Sequence, residues 1–286
     1  MLSLKQLLPL LVSALFFAGT STSLFVPSLN KRIVNGFIMQ QEFSPGMVSV
    51  LNDLGGYNSI AGGTLLSNRH VLTVAHGVRQ LDKTVSPAQN VTVAYNSNSR
   101  ENQIMSKVNK VTVFPDYLTY SNGTYDLAIL EMDQIELGET AQRVPIYNGP
   151  IDDGQTMLTL GWGRTEEGAE NTELLRGTYV YAGNTTMCQK FVKGFVDNNG
   201  PLICAPNILN PHSTICKGDS GTGVMVNQDG VLMIAGHASM IVNVGESECG
   251  NDTGSAFYTR IAYYLDFISE TTGLSKDYLL GLTNDA

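Results

Sequence analysis

The sequence predicts an all-β protein with one helix near its end, and three observations favour this class. The apolar residues gather in short β-rich runs, and clusters of Gly, Asn, Asp and Pro separate those runs. Apolar residues at a helical spacing occur only near the end of the chain. This pattern is typical of an antiparallel barrel or sandwich.

The predicted strands are runs of four or five residues that are mostly apolar or β-branched. They cover residues 47–51, 91–95, 110–114, 127–131, 157–160, 177–181 and 231–235. A polar stretch at 139–150 is the best boundary between two halves of the chain. Farther on, Ile261, Leu265 and Ile268 have the spacing of one helix face, and Gly273 is a stop signal.

The first 23 residues have the layout of a secretory signal peptide. A positive charge at Lys5 precedes an apolar run at 7–18, and small residues follow at 19–23. A membrane anchor is the alternative, but the run is shorter than the ~18 residues that a membrane helix needs. We therefore expect a secreted, extracellular protein with no membrane partner.

Four sequons for N-glycosylation agree with a secretory route. Each has a Thr two positions after the Asn and no intervening Pro. The candidate sites are Asn90, Asn122, Asn184 and Asn251.

Charge and cysteine content exclude two further classes. The net charge of −9 argues against a nucleic-acid partner, which requires a basic face. An even number of cysteines in a secreted chain favours two disulfides and leaves three pairings open. No Cys-x-x-Cys pair is present, so we expect no metal site. The four cysteines are Cys188, Cys204, Cys216 and Cys249.

Three short segments contain the candidate catalytic residues. Each alone is weak evidence, because a His after a strand is more often structural and Gly-Asp-Ser-Gly is also a turn sequence. In chain order the segments are residues 72–77 (Leu-Thr-Val-Ala-His-Gly), 125–130 (Tyr-Asp-Leu-Ala-Ile-Leu) and 216–221 (Cys-Lys-Gly-Asp-Ser-Gly).

Together these segments supply the parts of nucleophilic catalysis. A serine hydroxyl such as that of Ser220 is a poor nucleophile until a base, here His76, takes its proton. A carboxylate, here Asp126, fixes the imidazole tautomer and stabilises its charged form. Backbone N–H groups must then hold the oxyanion, and Gly218 suits that role because it lacks a Cβ.

The order His, Asp, Ser and the residues around each resemble the chymotrypsin and trypsin family of serine proteases. Further matches are Arg-Ile-Val-Asn-Gly at 32–36, Gly-Gly-Thr-Leu-Leu at 62–66, Gly-Trp-Gly at 161–163 and Phe-Tyr-Thr-Arg at 257–260. The resemblance implies two six-stranded antiparallel β-barrels followed by a C-terminal α-helix. His76 and Asp126 would come from the first barrel and Ser220 from the second.

The resemblance also implies how the chain is divided. Residues 1–23 are the signal peptide, 24–32 the activation propeptide and 33–273 the protease domain. Within that domain the first barrel covers about 33–143, the second about 150–258 and the helix about 260–272. A tail whose role the sequence leaves open occupies 274–286.

Activation by cleavage follows from the same resemblance. In the family, the freed N-terminus folds inward and pairs with the carboxylate beside the nucleophile. Here the cut would fall between Arg32 and Ile33, and the ammonium of Ile33 would pair with Asp219. The N–H groups of Gly218 and Ser220 would form the oxyanion hole.

The sequence departs from the family at one disulfide and one turn. Ala61 and Gly77 stand where the family joins the His segment to a neighbouring strand. The family pattern pairs the other cysteines as Cys188–Cys204 and Cys216–Cys249. Thr222 and Gly223 replace a glycine and a proline after the nucleophile, which affects the detail of that turn.

The expected specificity pocket differs from that of trypsin. Thr214 stands where trypsin has an aspartate, and Ser239 matches an element that borders the pocket. Ile241 and Ala256 replace wall glycines, so the pocket should prefer small or medium apolar residues before the scissile bond. Glutamates in the segment 242–248 are the alternative, since Glu246 or Glu248 would attract a basic side chain.

Three functions compete on this sequence. An active endopeptidase acting on protein or peptide substrates is favoured, with an activating protease and protein inhibitors as other partners, no cofactor and a monomeric state. A binding or inhibitory protein on the same fold is the main alternative. An esterase would need Gly-x-Ser-x-Gly, which fails at Thr222. We assign structural or surface roles to His70, His212 and His237. For His237, which lies near Ser239, a position bordering the site is the alternative.

Overall fold

The computed structural model describes residues 36–119, 124–243, 245, 249 and 251–284. Within these ranges the chain is mostly β-structure. The strands are β1 (Phe37–Ile38), β2 (Met47–Asp53), β3 (Asn58–Leu65), β4 (His70–Thr73), β5 (Val91–Tyr95), β6 (Ile104–Val113), β7 (Ala128–Met132), β8 (Thr156–Gly161), β9 (Arg176–Tyr181), β10 (Leu202–Pro206), β11 (Gly223–Gln228), β12 (Val231–Val242) and β13 (Ser255–Arg260).

The helices in the described part of the chain are short. The α-helices are α1 (Pro115–Thr119), α2 (Thr185–Cys188), α3 (Leu265–Thr272) and α4 (Lys276–Leu279). The 3-10 helices are Gln41–Phe43, His76–Val78, Ala88–Asn90, Arg100–Asn102, Asn207–Leu209 and Ile261–Tyr264. None of the described helices is long and apolar enough to cross a membrane.

Strands β2 to β7 form a closed barrel in the order β2-β3-β4-β7-β6-β5. All neighbouring strands in it are antiparallel. Successive side chains of a strand point to opposite faces, so Val48 and Val50 of β2 lie in the same interior as Val91 and Val93 of β5. The six-stranded barrel predicted for the first half is confirmed.

The second half forms a larger sheet in the order β1-β9-β8-β11-β12-β13-β10. It contains the six strands expected in the second barrel, which lie between residues 156 and 260, and one more, since Phe37–Ile38 pairs with β9. Beyond β9, the N–H of Gly183 donates to the carbonyl of Cys204 in the edge strand β10 at 2.9 Å, which brings the chain after β9 next to that edge. We expected residues 37–38 to belong to the first barrel. Their backbone hydrogen bonds to β9 instead place them in the sheet of the second half.

The predicted runs coincide with strands but identify only seven of the thirteen that the described ranges contain. Every residue of β10 and β13 is buried, so these strands lack the alternation of polar and apolar residues that marks a half-exposed strand. The strand β3 contains Gly62 and Gly63, which weaken a strand pattern. The patterns were therefore weakest where both faces of a strand are covered.

The C-terminal helix forms where the sequence predicts it. The 3-10 turn Ile261–Tyr264 continues into α3, and Gly273 ends the helix with φ of 73°. Glycine adopts this left-handed conformation without the steric cost that a Cβ would add. Ile268 of α3 is completely buried, in a cluster that also contains Leu72 of the first barrel and Leu160 of the second. This shared cluster packs the two sheets against each other.

Candidate active site

His76 and Asp126 lie close together because His76 follows strand β4, Asp126 precedes strand β7, and these two strands are paired. Strand β4 pairs with β7 so that Thr73 lies opposite Ala128. His76 comes three residues after Thr73, and Asp126 two residues before Ala128. The two strands are antiparallel, so both residues lie at the same end of the pair.

Two hydrogen bonds join the pair. The backbone N–H of His76 donates to Asp126 Oδ1 at 2.9 Å, and the ring Nδ1 lies 2.7 Å from Asp126 Oδ2. A carboxylate only accepts, so Nδ1 carries the proton and Nε2 of the neutral ring is left as a base. The hydroxyl of Ser239 also donates to Asp126 Oδ2, at 2.7 Å. Asp126 is 2% exposed, whereas the His76 side chain is 38% exposed.

The electrostatics of the pair favour its charged form. Burial by itself would raise the pKa of Asp126, but the charge of His76 and the hydrogen bonds from His76 and Ser239 lower it. Desolvation likewise opposes the charged imidazolium, yet the Asp126 carboxylate outweighs it and raises the pKa of His76. Asp126 is therefore ionised at neutral pH and stabilises a proton on His76.

Ser220 lies on a turn that touches both sheets. Its carbonyl accepts the N–H of Gly62 in β3 at 2.7 Å. The next residue, Gly221, has φ of 80° and donates its N–H to Ala238 of β12 at 2.7 Å. Ser220 also lines a cavity of about 210 Å³ together with Ser239, which is bonded to Asp126. Ser239 thus connects the cavity that Ser220 lines to the His76–Asp126 pair.

Comparison with known proteins shows the family of the chain. The sequence model of the family described as Trypsin matches residues 33–268. The chain belongs to the trypsin family. Among similar proteins, Trypsin 5G1 of Aedes aegypti is 28% identical over 246 residues, which are 85% of this chain and 86% of that protein.

Two further relatives show similar coverage. Trypsin Tyr p 3.0101 of Tyrophagus putrescentiae is 28% identical over 267 residues, 89% of each chain. Serine protease SP24D of Anopheles gambiae is 28% identical over 242 residues, 84% of this chain and 81% of that protein. The similarity extends over both sheets.

Asp219, the proposed partner of the freed N-terminus in this family member, is completely buried. Its two carboxylate oxygens accept the N–H groups of Gly163 at 2.7 Å and Cys216 at 2.8 Å. A Cβ on Gly161 or Gly163 would lie within 2.4 Å of the Asp219 side chain, which explains the glycines of the Gly-Trp-Gly motif. Burial raises the pKa of Asp219 to about 7. Arg32 and Ile33 lie outside the described residues, so their pairing stays a prediction.

Gly218 and Thr222 shape the two ends of the turn. Gly218 has φ of 93°, and a Cβ there would lie 2.5 Å from Asn171 Oδ1, so this position requires glycine. The hydroxyl of Thr222 donates to the carbonyl of Asp219 at 2.6 Å. A Cβ on Gly62 would lie only 2.1 Å from the methyl group of Thr222. The threonine that replaces the family's glycine therefore packs between the turn and β3.

The cavity beside Ser220 includes only part of the predicted specificity pocket. Ser239 and Ile241 line it, while Thr214 and Ala256 are buried and do not. Ile241 lies opposite Ala256 in the paired strands β12 and β13. The other lining residues are Ile215, Cys216, Lys217, Ala238 and Met240.

Sequence reasoning gave no role to the charged member of this set, Lys217, although it lies within the nucleophile segment. Its position three residues before Ser220 was the available signal. Glu246 and Glu248 lie outside the described residues, so the structure does not bear on a basic preference through them.

Both disulfides implied by the resemblance are present. Cys188 bonds Cys204 and Cys216 bonds Cys249. The two positions of the missing third disulfide lie next to each other, because a Cβ on Gly77 would lie 2.9 Å from the Cβ of Ala61. These two positions are neighbours in space, as the comparison of motifs predicts.

Candidate glycosylation sites differ in their surroundings. Asn184 is exposed and caps α2, accepting the N–H of Met187 at 2.9 Å. Asn90 and Asn251 are partly exposed. Asn122 lies outside the described residues. No group of three or more His, Cys, Asp or Glu side chains suited to a metal occurs in the described part of the chain.

The three remaining histidines have different roles. His70 is buried and its Nδ1 lies 3.0 Å from the hydroxyl of Ser67. His212 is exposed beside Asp252. His237 is completely buried, and its Nε2 lies 2.7 Å from the carbonyl of Asp126. The sequence assigned it a structural or surface role, whereas it touches the candidate catalytic aspartate.

Proposed function

We propose that the chain is a secreted serine endopeptidase that hydrolyses peptide bonds in protein substrates. The observation that carries the proposal is the hydrogen bond between His76 Nδ1 and the buried Asp126 carboxylate, beside the cavity that Ser220 lines. This hydrogen bond gives His76 the tautomer that a base needs, and Ser239 connects the pair to the cavity that Ser220 lines. Family membership is consistent with the same chemistry.

The proposed reaction begins with attack of Ser220 Oγ on the scissile carbonyl carbon, while His76 Nε2 takes the hydroxyl proton. The carbonyl oxygen becomes an oxyanion, which the N–H groups of Gly218 and Ser220 stabilise. His76 then gives the proton to the leaving amine, and an acyl group remains on Ser220. A water molecule then attacks the acyl carbon while His76 takes its proton. The bond between that carbon and Ser220 Oγ breaks, and His76 returns the proton to Oγ as the carboxylic acid product leaves. Asp126 stays ionised and stabilises the imidazolium at each step.

The proposal includes synthesis as an inactive precursor cut between Arg32 and Ile33. In the precursor the buried Asp219 carboxylate would lack a cationic partner. Burial raises the pKa of Asp219 to about 7, so an ammonium partner after cleavage would favour its ionised form. Residues 24–32 would be the propeptide and 33–273 the protease domain.

We propose a preference for small or medium apolar side chains before the scissile bond. Ile215, Met240 and Ile241 line the cavity next to Ser220 with apolar surface. The volume of about 210 Å³ suits a side chain of moderate size. An aspartate that would bind arginine is absent at Thr214.

Secretion is supported by the leader-like first 23 residues and by the two disulfides, which persist in oxidising compartments. The sequons agree with this route. Secretion of the full chain from an expressing cell, with an N-terminus beyond residue 23, is the direct check.

The deciding experiment is cleavage of a diverse peptide library by protein that begins at Ile33, with Ser220→Ala as the control. We expect cuts after Ala, Val or Leu that disappear in the control. Cuts after Arg or Lys would overturn the pocket proposal and leave the protease. No cuts from correctly folded and processed protein would favour the binding-protein alternative.

A further inference from the structure

His237 occupies the middle of the second sheet. It lies in β12, opposite Gly223 of β11 and Thr259 of β13, and is 0% exposed. A buried polar ring is costly unless it is hydrogen-bonded. Its observed partner belongs to the other half of the molecule, because the ring reaches the carbonyl of Asp126 from the first barrel.

The hydrogen bond fixes the protonation state of the ring. A carbonyl oxygen only accepts, so Nε2 of His237 carries the proton and donates to Asp126 at 2.7 Å. The other nitrogen, Nδ1, is buried without a hydrogen-bond partner among the described residues. Burial lowers the pKa of His237 to about 4, although the nearby Asp126 raises it and His76 lowers it further. The ring is therefore a neutral donor at neutral pH.

Three side chains of the second sheet converge on Asp126. Thr259 Oγ1 donates to the same carbonyl at 3.2 Å, and Ser239 Oγ donates to the carboxylate at 2.7 Å. His237 and Ser239 are alternate residues of β12, which places both on one face of the strand. The pairing of β12 with β13 shifts between Ala238 and Met240, as at a β-bulge, which re-aims side chains next to a site.

We propose that His237 is a positioning residue that anchors the main chain of Asp126, so that the carboxylate faces His76 Nδ1. Thr259 alone would hold the carbonyl through a longer hydrogen bond. Asp126 lies in the loop just before β7, and among the described residues its hydrogen bonds from outside that loop come from His76 and the second sheet. This inference rests on the proposed function, since it assigns His237 to the same catalytic site.

The experiment measures the pKa of His76 by NMR titration of its ring in protein that begins at Ile33 and carries Ser220→Ala. The parent is compared with His237→Leu, which loses the donor, and His237→Gln, whose amide can reach the carbonyl. His70→Leu is the control, because it removes a buried histidine that does not touch Asp126. Circular dichroism establishes that each variant is folded.

In the parent, Asp126 raises the pKa of His76. We expect that pKa to fall toward 6.5 in His237→Leu, to recover in His237→Gln and to be unchanged in His70→Leu. A merely structural role would lower the melting temperature of His237→Leu without moving the pKa of His76. If His237→Leu does not fold, His237→Asn, whose amide is too short to reach the carbonyl, is measured instead.

Kinetics on the same variants with Ser220 restored give a second readout. We expect kcat of His237→Leu to fall by about tenfold to a hundredfold, with little change in KM, because misplacing a catalytic group costs rate more than binding. An unchanged His76 pKa and kcat in His237→Leu, or an equal loss in His237→Gln, overturns the inference. Absence of hydrolysis by the parent overturns the proposed function, while the NMR titration still decides the role of His237.

Discussion

At the scale of single residues, Asp126 depends on groups that are far away in sequence. Its carboxylate accepts hydrogen bonds from His76 and Ser239, and its carbonyl accepts from His237 and Thr259. These partners lie between 50 and 133 positions along the chain from it. The ionised state and direction of one side chain are therefore properties of both sheets together.

The width of the cavity beside Ser220 depends on one residue in particular. Ile241 lines that cavity, and opposite it Ala256 is completely buried. Replacing Ile241 with glycine should open the wall, so kcat/KM for Phe relative to Ala before the scissile bond should rise at least about tenfold. Hydrolysis of a matched pair of peptide substrates measures the ratio.

Ile104→Gly is the matched control for that substitution. Ile104 is an exposed isoleucine in β6 and does not line the cavity. Ile104→Gly should leave the ratio of kcat/KM for Phe relative to Ala unchanged. An unaltered ratio in Ile241→Gly would mean that another residue sets the size limit.

At the scale of elements, the tail after Gly273 is part of the core. Helix α4 buries Tyr278 and Leu279, and the carbonyl of Leu279 accepts the N–H of Ile146 at 2.8 Å. The guanidinium of Arg143 lies 4.2 Å from the Tyr278 ring centroid and donates to the Tyr278 carbonyl at 2.8 Å. Since Arg143 and Ile146 belong to the segment that connects the two halves, these contacts with α4 hold that segment in place.

Removing the ring of Tyr278 tests this role of the tail. Tyr278 is 6% exposed, so Tyr278→Ala should lower the free energy of unfolding by about 3 kcal/mol through the cavity it leaves. Leu282→Ala is the control, because Leu282 is 70% exposed and should change that free energy by less than about 0.5 kcal/mol. Denaturant titration of both variants gives the values. Equal effects would show that α4 is only loosely attached.

At the scale of the whole molecule, the candidate site belongs to neither sheet alone. His76 and Asp126 come from the ends of two first-barrel strands, while the turn with Ser220 precedes β11 of the second sheet. A shared apolar cluster packs the sheets together. Activation would add one more link, between the new N-terminus and Asp219.

The stability of the precursor should depend on pH through Asp219. Its folded-state pKa is raised from 3.8 to about 7, so the stabilisation is complete below pH 3.8 and is lost as the pH rises through 7. The loss in a precursor with Arg32→Gln should reach up to about 4 kcal/mol, at about 1.4 kcal/mol per pKa unit. Denaturant titrations between pH 4 and pH 8 measure it.

The comparison must remove the opposite effect of His237. The lowered pKa of that ring makes the protein more stable as the pH rises from about 4 to 6.5. The informative quantity is thus the difference in free energy of unfolding between two precursors, Arg32→Gln and the double variant Arg32→Gln with Asp219→Asn. Both precursors contain His237, so its effect cancels. In protein that begins at Ile33, Asp219→Asn should change the pH dependence of the free energy of unfolding by less, since an ammonium partner favours the ionised Asp219. No pH-dependent difference between the two precursors would refute the prediction.

Local sequence determined the fold class and the family. Strands rich in apolar and β-branched residues, such as β2 and β5, can be recognised without a structure. The turn around Ser220 requires glycine at positions 218 and 221 for their positive φ, and such a requirement shows in the sequence. The helix stop at Gly273 is also local.

Tertiary structure decided what depends on distant contacts. The fully buried strands β10 and β13 have no readable period, and the attachment of residues 37–38 to β9 depends on backbone hydrogen bonds across the fold. The exclusion of Thr214 and Ala256 from the cavity and the contact of His237 with Asp126 depend on how two sheets pack. Periodicity and turn chemistry act within a few residues, whereas these contacts join groups more than a hundred positions apart.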